Sequence, residues 1–282
     1  MNIEQLKKDM KENLLYGKVD LKQLSDEMGS ENFVQFLLDN TGNPHSIFRE
    51  NILGFVEVDY ISPEDCVKML DVYLSGSHLF NGLGGQGDDS VFWRSFSSLG
   101  VGYLVEEGSK RGFLSQEQYM TALNKAIEYM QKEVDYRGFV SGGKGWAHAV
   151  SHSADMLCAL VNSDKFPMAF ADKILDCIKV HITVKHRFID GDESRMSAVI
   201  VALVKKGLNE KAMQTWLNSL TPRITTKRYT DESYPDIQVL FNIKGLIAAI
   251  YFGLGEDTKN DELKKIIREY DSTLWQRAYA SQ

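Results

Sequence analysis

His148, His152 and Asp155 stand at i, i+4 and i+7, the spacing that stacks three side chains on one face of an α-helix. Two imidazoles and a carboxylate placed this way could bind a metal ion, move protons, hold an anion, or only hydrogen-bond one another. Asp155 is the sole formally charged residue from Gly145 through Ser163, and a helix without a charged face packs on every side, so the stripe is expected to face an interior or a cleft. Histidines at i and i+4 match the chelating pair of the HExxH zinc helix. Here Ala149, Val150 and Ser151 intervene, the general-base glutamate is missing, and no fourth ligand is identifiable. Asp155 would be either a third ligand or the acceptor for a ring N–H. No cofactor is named by these residues.

The elements that must hold this stripe are helices. From residue 76 onward nearly charge-free segments alternate with amphipathic ones. Ser90–Val105, Trp146–Val161 and Ile237–Leu254 hold one formal charge each, and Met196–Val204 is apolar throughout. Ser115–Glu133, Pro167–Val184, Asn209–Leu220 and Asn260–Tyr279 each carry a wet face. Helical hairpins stacked with one helix inside and one outside produce this alternation, and successive inner helices start roughly 40 to 55 residues apart, in or slightly above the range of HEAT and armadillo units. The expected fold is all-α: an α-α superhelix of HEAT/armadillo type, with an α/α toroid as the alternative. It is expected as a single domain over residues 1–282, with N-terminal helices in 1–75 and the inner and outer pairs in 76–282. Before residue 76, three or four short helices are expected over 3–58, one of them following Pro44 to about Val58. Ser62-Pro63-Glu64-Asp65 is a helix start. No stretch alternates with period two, so almost no sheet is expected.

Parallel inner helices would bring their N-terminal ends to one rim, where free N–H donors and partial positive charge collect. Arg94, His148, His152, Asp155, Asp190, Asp192, Glu193 and Arg195 sit at or just before those ends, and the connection into the second inner helix adds Glu133, Asp135 and Arg137. Each has a plainer reading. Arg94 can pair with Asp155 or Asp135 only to satisfy buried groups; Asp190–Glu193 can be a solvated turn and cap; Glu133, Asp135 and Arg137 can tie down the turn at Gly138. His45, His78, His181 and His186 lie in charged or loop contexts and read as surface residues. Gly82-Leu83-Gly84-Gly85-Gln86-Gly87 matches GxGxxG, yet no strand precedes it and Asp88 and Asp89 would repel a pyrophosphate, so it reads as a flexible loop suited to a lid. No GxSxG elbow supports a serine triad.

Composition narrows the class. In 282 residues, 43% are hydrophobic and 25% charged, the balance of a soluble globular chain. A net charge of −7 with dispersed Lys and Arg argues against a nucleic-acid partner. No signal-peptide core is visible and no window holds about 18 uncharged apolar residues, so neither export nor a membrane is expected. Cys66, Cys158 and Cys177 lack CxxC spacing and read as free thiols in a cytoplasmic protein.

The segments Asp135-Tyr136-Arg137-Gly138-Phe139-Val140, Gly145-Trp146-Ala147-His148-Ala149-Val150-Ser151-His152-Ser153-Ala154-Asp155 and Asp89–Ser97 resemble a bacterial family of uncharacterised cytoplasmic proteins, domain of unknown function 2785. Ser151 and Ser153 replace the small Ala and Gly usual near the second histidine and leave both imidazoles in place. The resemblance implies an all-helical fold and a shared motif, and no reaction.

The expectation is a polar pocket for a small polar or anionic molecule, with His148, His152 and Asp155 as acid-base or metal-binding groups. Arg94, Asp135, Arg137, Trp146 and Arg195 would be the ligand-binding residues. Hydrolysis or group transfer is the reaction class such groups suit. The rival is a HEAT-like scaffold for a protein partner in which the motif is structural.

Overall fold

The computed structural model describes residues 21–46, 49–50, 61–220 and 234–279. Of these described residues 71% are helical, in eleven α-helices, and the sheet among them is a single pair of two-residue strands. The all-α expectation holds. The expected helices over residues 3–20 and most of the one after Pro44 lie outside the described residues. The chain divides into two compact units, Met1–Lys165 and Phe166–Gln282.

In the first unit, α1 (Leu21–Met28) and α2 (Ser30–Asn40) pack together, and α2 contacts α3 (Pro63–Tyr73). The α3 start follows the expected chemistry: Pro63 occupies the first helical turn, and Ser62 Oγ accepts a hydrogen bond from the Asp65 N–H at 3.0 Å. Among the described residues, helix α4 (Ser90–Arg111) and α6 (Ala149–Asn162) form the most extensive pairing, and both are buried along most of their length. Between them α5 (Gln116–Lys132) opens on a capping box: Ser115 Oγ accepts from the Gln118 N–H and the Gln118 side chain accepts from the Ser115 N–H. Its apolar stripe is buried and its charged face is exposed, as the alternation predicts.

The second unit repeats this division of labour. The inner pair is α8 (Asp192–Lys205) with α10 (Tyr234–Gly253); the amphipathic α7 (Ala171–Ile182) packs on both, α11 (Asp261–Tyr279) packs on α10, and α9 (Glu210–Ser219) packs on α11. Among the described residues, α10 is the one helix long and apolar enough to cross a membrane by length and composition, and 39% of its most apolar window is buried. All three cysteines are free thiols.

The structure differs from the expected boundaries at the motif itself. Trp146 does not start the helix. It lies in β2 (Gly145–Trp146), which pairs antiparallel with β1 (Phe139–Val140), Phe139 opposite Trp146. The helix begins only at Ala149, after His148 has turned the chain.

Candidate functional site

The hairpin and α6 are joined by one unusual residue. His148 is the N-cap of α6 with φ 46° and ψ 38°, and among the described residues it is the sole non-glycine at positive φ. For an L-residue with a bulky side chain this left-handed conformation costs energy, which the surroundings must hold in place. They do so on both sides. The His148 N–H donates to the Arg137 carbonyl at 3.1 Å, extending the hairpin ladder, and the His148 carbonyl accepts from the His152 N–H at 2.8 Å as the first helical bond.

Because His148 precedes the helix, its ring does not follow an ideal i, i+4 stack. It lies flat on the Trp146 indole, centroids 4.4 Å apart and planes 19° apart, and meets the His152 ring edge-on at 5.7 Å and 85°. Phe139 meets Trp146 edge-on at 5.1 Å. The result is a ladder of rings from the surface inward: Phe139 is 62% exposed, Trp146 38%, His148 partly buried and His152 8%. His152 packs its edge on Phe96 at 5.1 Å, and its Nδ1 lies 2.8 Å from Ser95 Oγ. Beneath them Val91, Phe92, Phe96, Ala147 and Ala149 form a small buried cluster. Asp155 is partly buried on the same helix. Among the described residues, no group of three or more His, Cys, Asp or Glu side chains is placed to hold a metal ion, so His148, His152 and Asp155 do not converge as a ligand set.

The structure brings Arg94, Glu133, Asp135 and Arg137 together as an internal network. The buried Arg94 guanidinium has five N–H donors, and five bonds use them. Nε donates to Glu133 Oε2 at 2.6 Å. Nη1 donates to Ser90 Oγ at 2.7 Å and Asn81 O at 3.3 Å, and Nη2 to Gly85 O at 2.9 Å and Glu133 Oε1 at 3.3 Å. Glu133 Oε1 also accepts from the N–H groups of Val134 and Asp135, each at 2.8 Å. Asp135 stands 3.9 Å from Arg94, takes a fork from Arg137, and accepts from the Gly87 N–H at 3.1 Å. Burial pushes the Asp135 carboxyl up, but these hydrogen bonds outweigh it and hold the group below its ordinary value. Tyr129, buried and beside Glu133, is held well above the usual phenol value, first by burial and then by that charge.

This network corrects the reading of the glycine loop. Arg94 grips it at Asn81 and Gly85, Asp135 at Gly87, and Gln86 donates to the Val134 carbonyl at 2.8 Å. A segment tied at four points is a wall, and the lid expectation gives way to it. Gly82 is required there: at φ 60° a side chain would be strained and would collide with Ser90.

Arg137 keeps a solvent edge, its side chain 30% exposed, while Nη2 donates to the Asp88 carbonyl at 2.6 Å. Lys144, in the turn of the hairpin, pairs with Asp89, the N-cap of α4, at 2.6 Å. Arg195 lies in the second unit, exposed in the first turn of α8. There Arg187 bonds Glu193 at 2.6 Å and Asn242 at 2.8 Å, pinning the loop before α8. His78 and His181, read as surface residues, are buried.

Three contributors escaped the sequence reading. Arg49 is fully buried, its guanidinium 3.9 Å from the Phe92 ring and 4.7 Å from Phe96, with hydrogen bonds to the carbonyls of Asn43, Lys144 and Trp146. Glu50 and Asn51 follow it directly, so no local pattern sets Arg49 apart. Ser95 sits on an apolar helix beneath His152, and Phe139 extends the ring ladder outward; neither carried a spacing signal.

No curated protein and no solved structure matches the chain. The family described as Protein of unknown function (DUF2785) matches residues 79–252, which include both the Arg94 network and the ring ladder. With well over half of its length matched, the chain belongs to that family.

Proposed function

We propose that the chain binds a small polar molecule at the corner formed by Trp146, His148 and His152, with Phe139 at its mouth. The observation that carries this reading is the backbone of His148. A turn needing positive φ is relaxed by Gly or Asn, and a histidine kept there at a cost of about 1 kcal/mol indicates that the ring has work to do. The partly exposed Trp146 indole supplies an aromatic surface, and two imidazoles supply donors and acceptors with it.

A neutral polar ligand suits the site better than an anion. Arg94 has spent its donors inside the protein, and the loop facing Arg137 carries Asp88 and Asp89. Chemistry here, hydrolysis or group transfer, would run through His152 as the acid-base group, since it is the more enclosed of the two rings. The three free thiols support a cytoplasmic setting. The experiment is a thermal-shift screen of sugars, polyols, nucleosides, amino acids and their phosphorylated forms against the wild type and His148→Gly. The expected result is stabilisation of the wild type by at least one uncharged polar compound and none of the variant by the same compound.

A second reading, a HEAT-like scaffold that docks a protein partner, draws support from Phe139, an exposed aromatic anchor beside Trp146. It predicts that Phe139→Ala and Trp146→Ala abolish binding of that partner while His152 variants do not.

A further inference from the structure

Ser95 is fully buried on α4, and its hydroxyl oxygen touches two polar atoms: the Ala147 carbonyl oxygen and His152 Nδ1, the latter at 2.8 Å. A serine hydroxyl owns one proton. The Ala147 contact is between two oxygens, and a carbonyl has no proton to give, so the Ser95 proton must lie on that line. The hydroxyl then faces His152 with a lone pair only. Nδ1 must donate to it, and in the neutral ring Nε2 is left as the basic nitrogen.

Resting on the reading of this corner as a binding site, we infer that Ser95 is its positioning residue. It commits neutral His152 to the Nδ1–H tautomer and so makes Nε2 the atom that accepts a hydrogen bond or a proton. The arrangement also excludes Ser95 as a nucleophile. An activated serine gives its proton to the imidazole, whereas this one gives it to a backbone carbonyl and takes one from the ring. The edge-on contact of Phe96 with His152 fixes the ring plane, and Ser95 fixes which of its nitrogens is which.

The inference is tested without knowing the ligand. In the full chain labelled with 15N-histidine, long-range proton–nitrogen correlation spectra distinguish the two tautomers, and His152→Gln identifies the His152 signals by their loss. The wild type at neutral pH is expected to show a protonated Nδ1 and an unprotonated Nε2. Ser95→Ala is expected to move His152 toward the Nε2–H form that free imidazoles favour, and Ser95→Thr, which keeps the hydroxyl, to restore the wild-type pattern. An Nε2–H ring in the wild type overturns the assignment even if Ser95→Ala does not fold, and so does an unchanged pattern in folded Ser95→Ala. The two claims fail separately. A correct tautomer with no compound answering to His148→Gly refutes the binding site and leaves Ser95 in its role, and the converse refutes Ser95 alone.

Discussion

The imidazole of His148 lies flat against the indole of Trp146, centroids 4.4 Å apart, while its own backbone is held at φ 46°. Stacking and strain therefore meet in one residue, and substitutions separate them. His148→Ala loses the stack and keeps the strain, whereas His148→Gly loses the stack and relaxes the backbone. The glycine variant should be more stable than the alanine variant by about 1 kcal/mol, the reverse of their order inside a helix. Urea unfolding of the two variants measures this; equal stabilities would place no strain at the N-cap.

Arg94 and Glu133 are both fully buried in their side chains and joined at 2.6 Å. Replacing Arg94 by Met leaves an uncompensated carboxylate and releases the Asn81–Gly87 loop. The expected loss is about 3–5 kcal/mol in chemical denaturation, with new proteolytic cleavage in that loop. Arg94→Met combined with Glu133→Leu should recover much of it, since the pair is then replaced by apolar groups.

Asp135 gives the network its pH dependence. Burial raises its pKa, and the bonds from Arg137 and Gly87 more than reverse this, so its folded value lies below the unfolded one of about 3.9. A carboxyl depressed on folding contributes stability that is present above the unfolded value and is lost as pH falls through the folded one. Asp135→Asn should therefore be less stable than the wild type at pH 7, and the difference should shrink as pH falls from about 5 to 3. Unfolding curves across that range decide it.

The helices were legible because caps and apolar periodicity are local. Ser62 before Pro63, Ser115 with Gln118, and Asn209, whose side chain accepts from the Ala212 N–H, all cap as their types suggest. The hairpin was not legible: two residues per strand carry no period, and β2 continues into what reads as one long apolar helix. The left-handed turn at His148 was hidden for the same reason, since Arg137 and the hairpin impose it from outside the helix. Arg94 was visible as a lone charge on an apolar helix, with Asp135 or Asp155 as candidate partners. Asp135 is a partner at 3.9 Å, and Glu133, the C-cap of the neighbouring helix α5, is a closer one at 2.6 Å. Arg49 depended on long-range packing against Phe92 and Phe96, which no local pattern announces.

Gly145 sits where β2 meets the N-terminal segment. Its φ is 69°, and a Cβ there would come 2.7 Å from that of Ser46. Gly145→Ala should cost about 1–3 kcal/mol and displace Trp146, shifting its fluorescence. An unchanged emission spectrum with unchanged stability would show that the hairpin does not set the position of the indole.

The most direct measurement is the thermal shift of wild type beside His148→Gly across the uncharged polar compounds. At least one compound is expected to raise the melting temperature of the wild type and leave that of the folded variant unmoved. Stabilisation of both proteins by the same compounds, or of neither by any, would contradict a binding site at Trp146, His148 and His152.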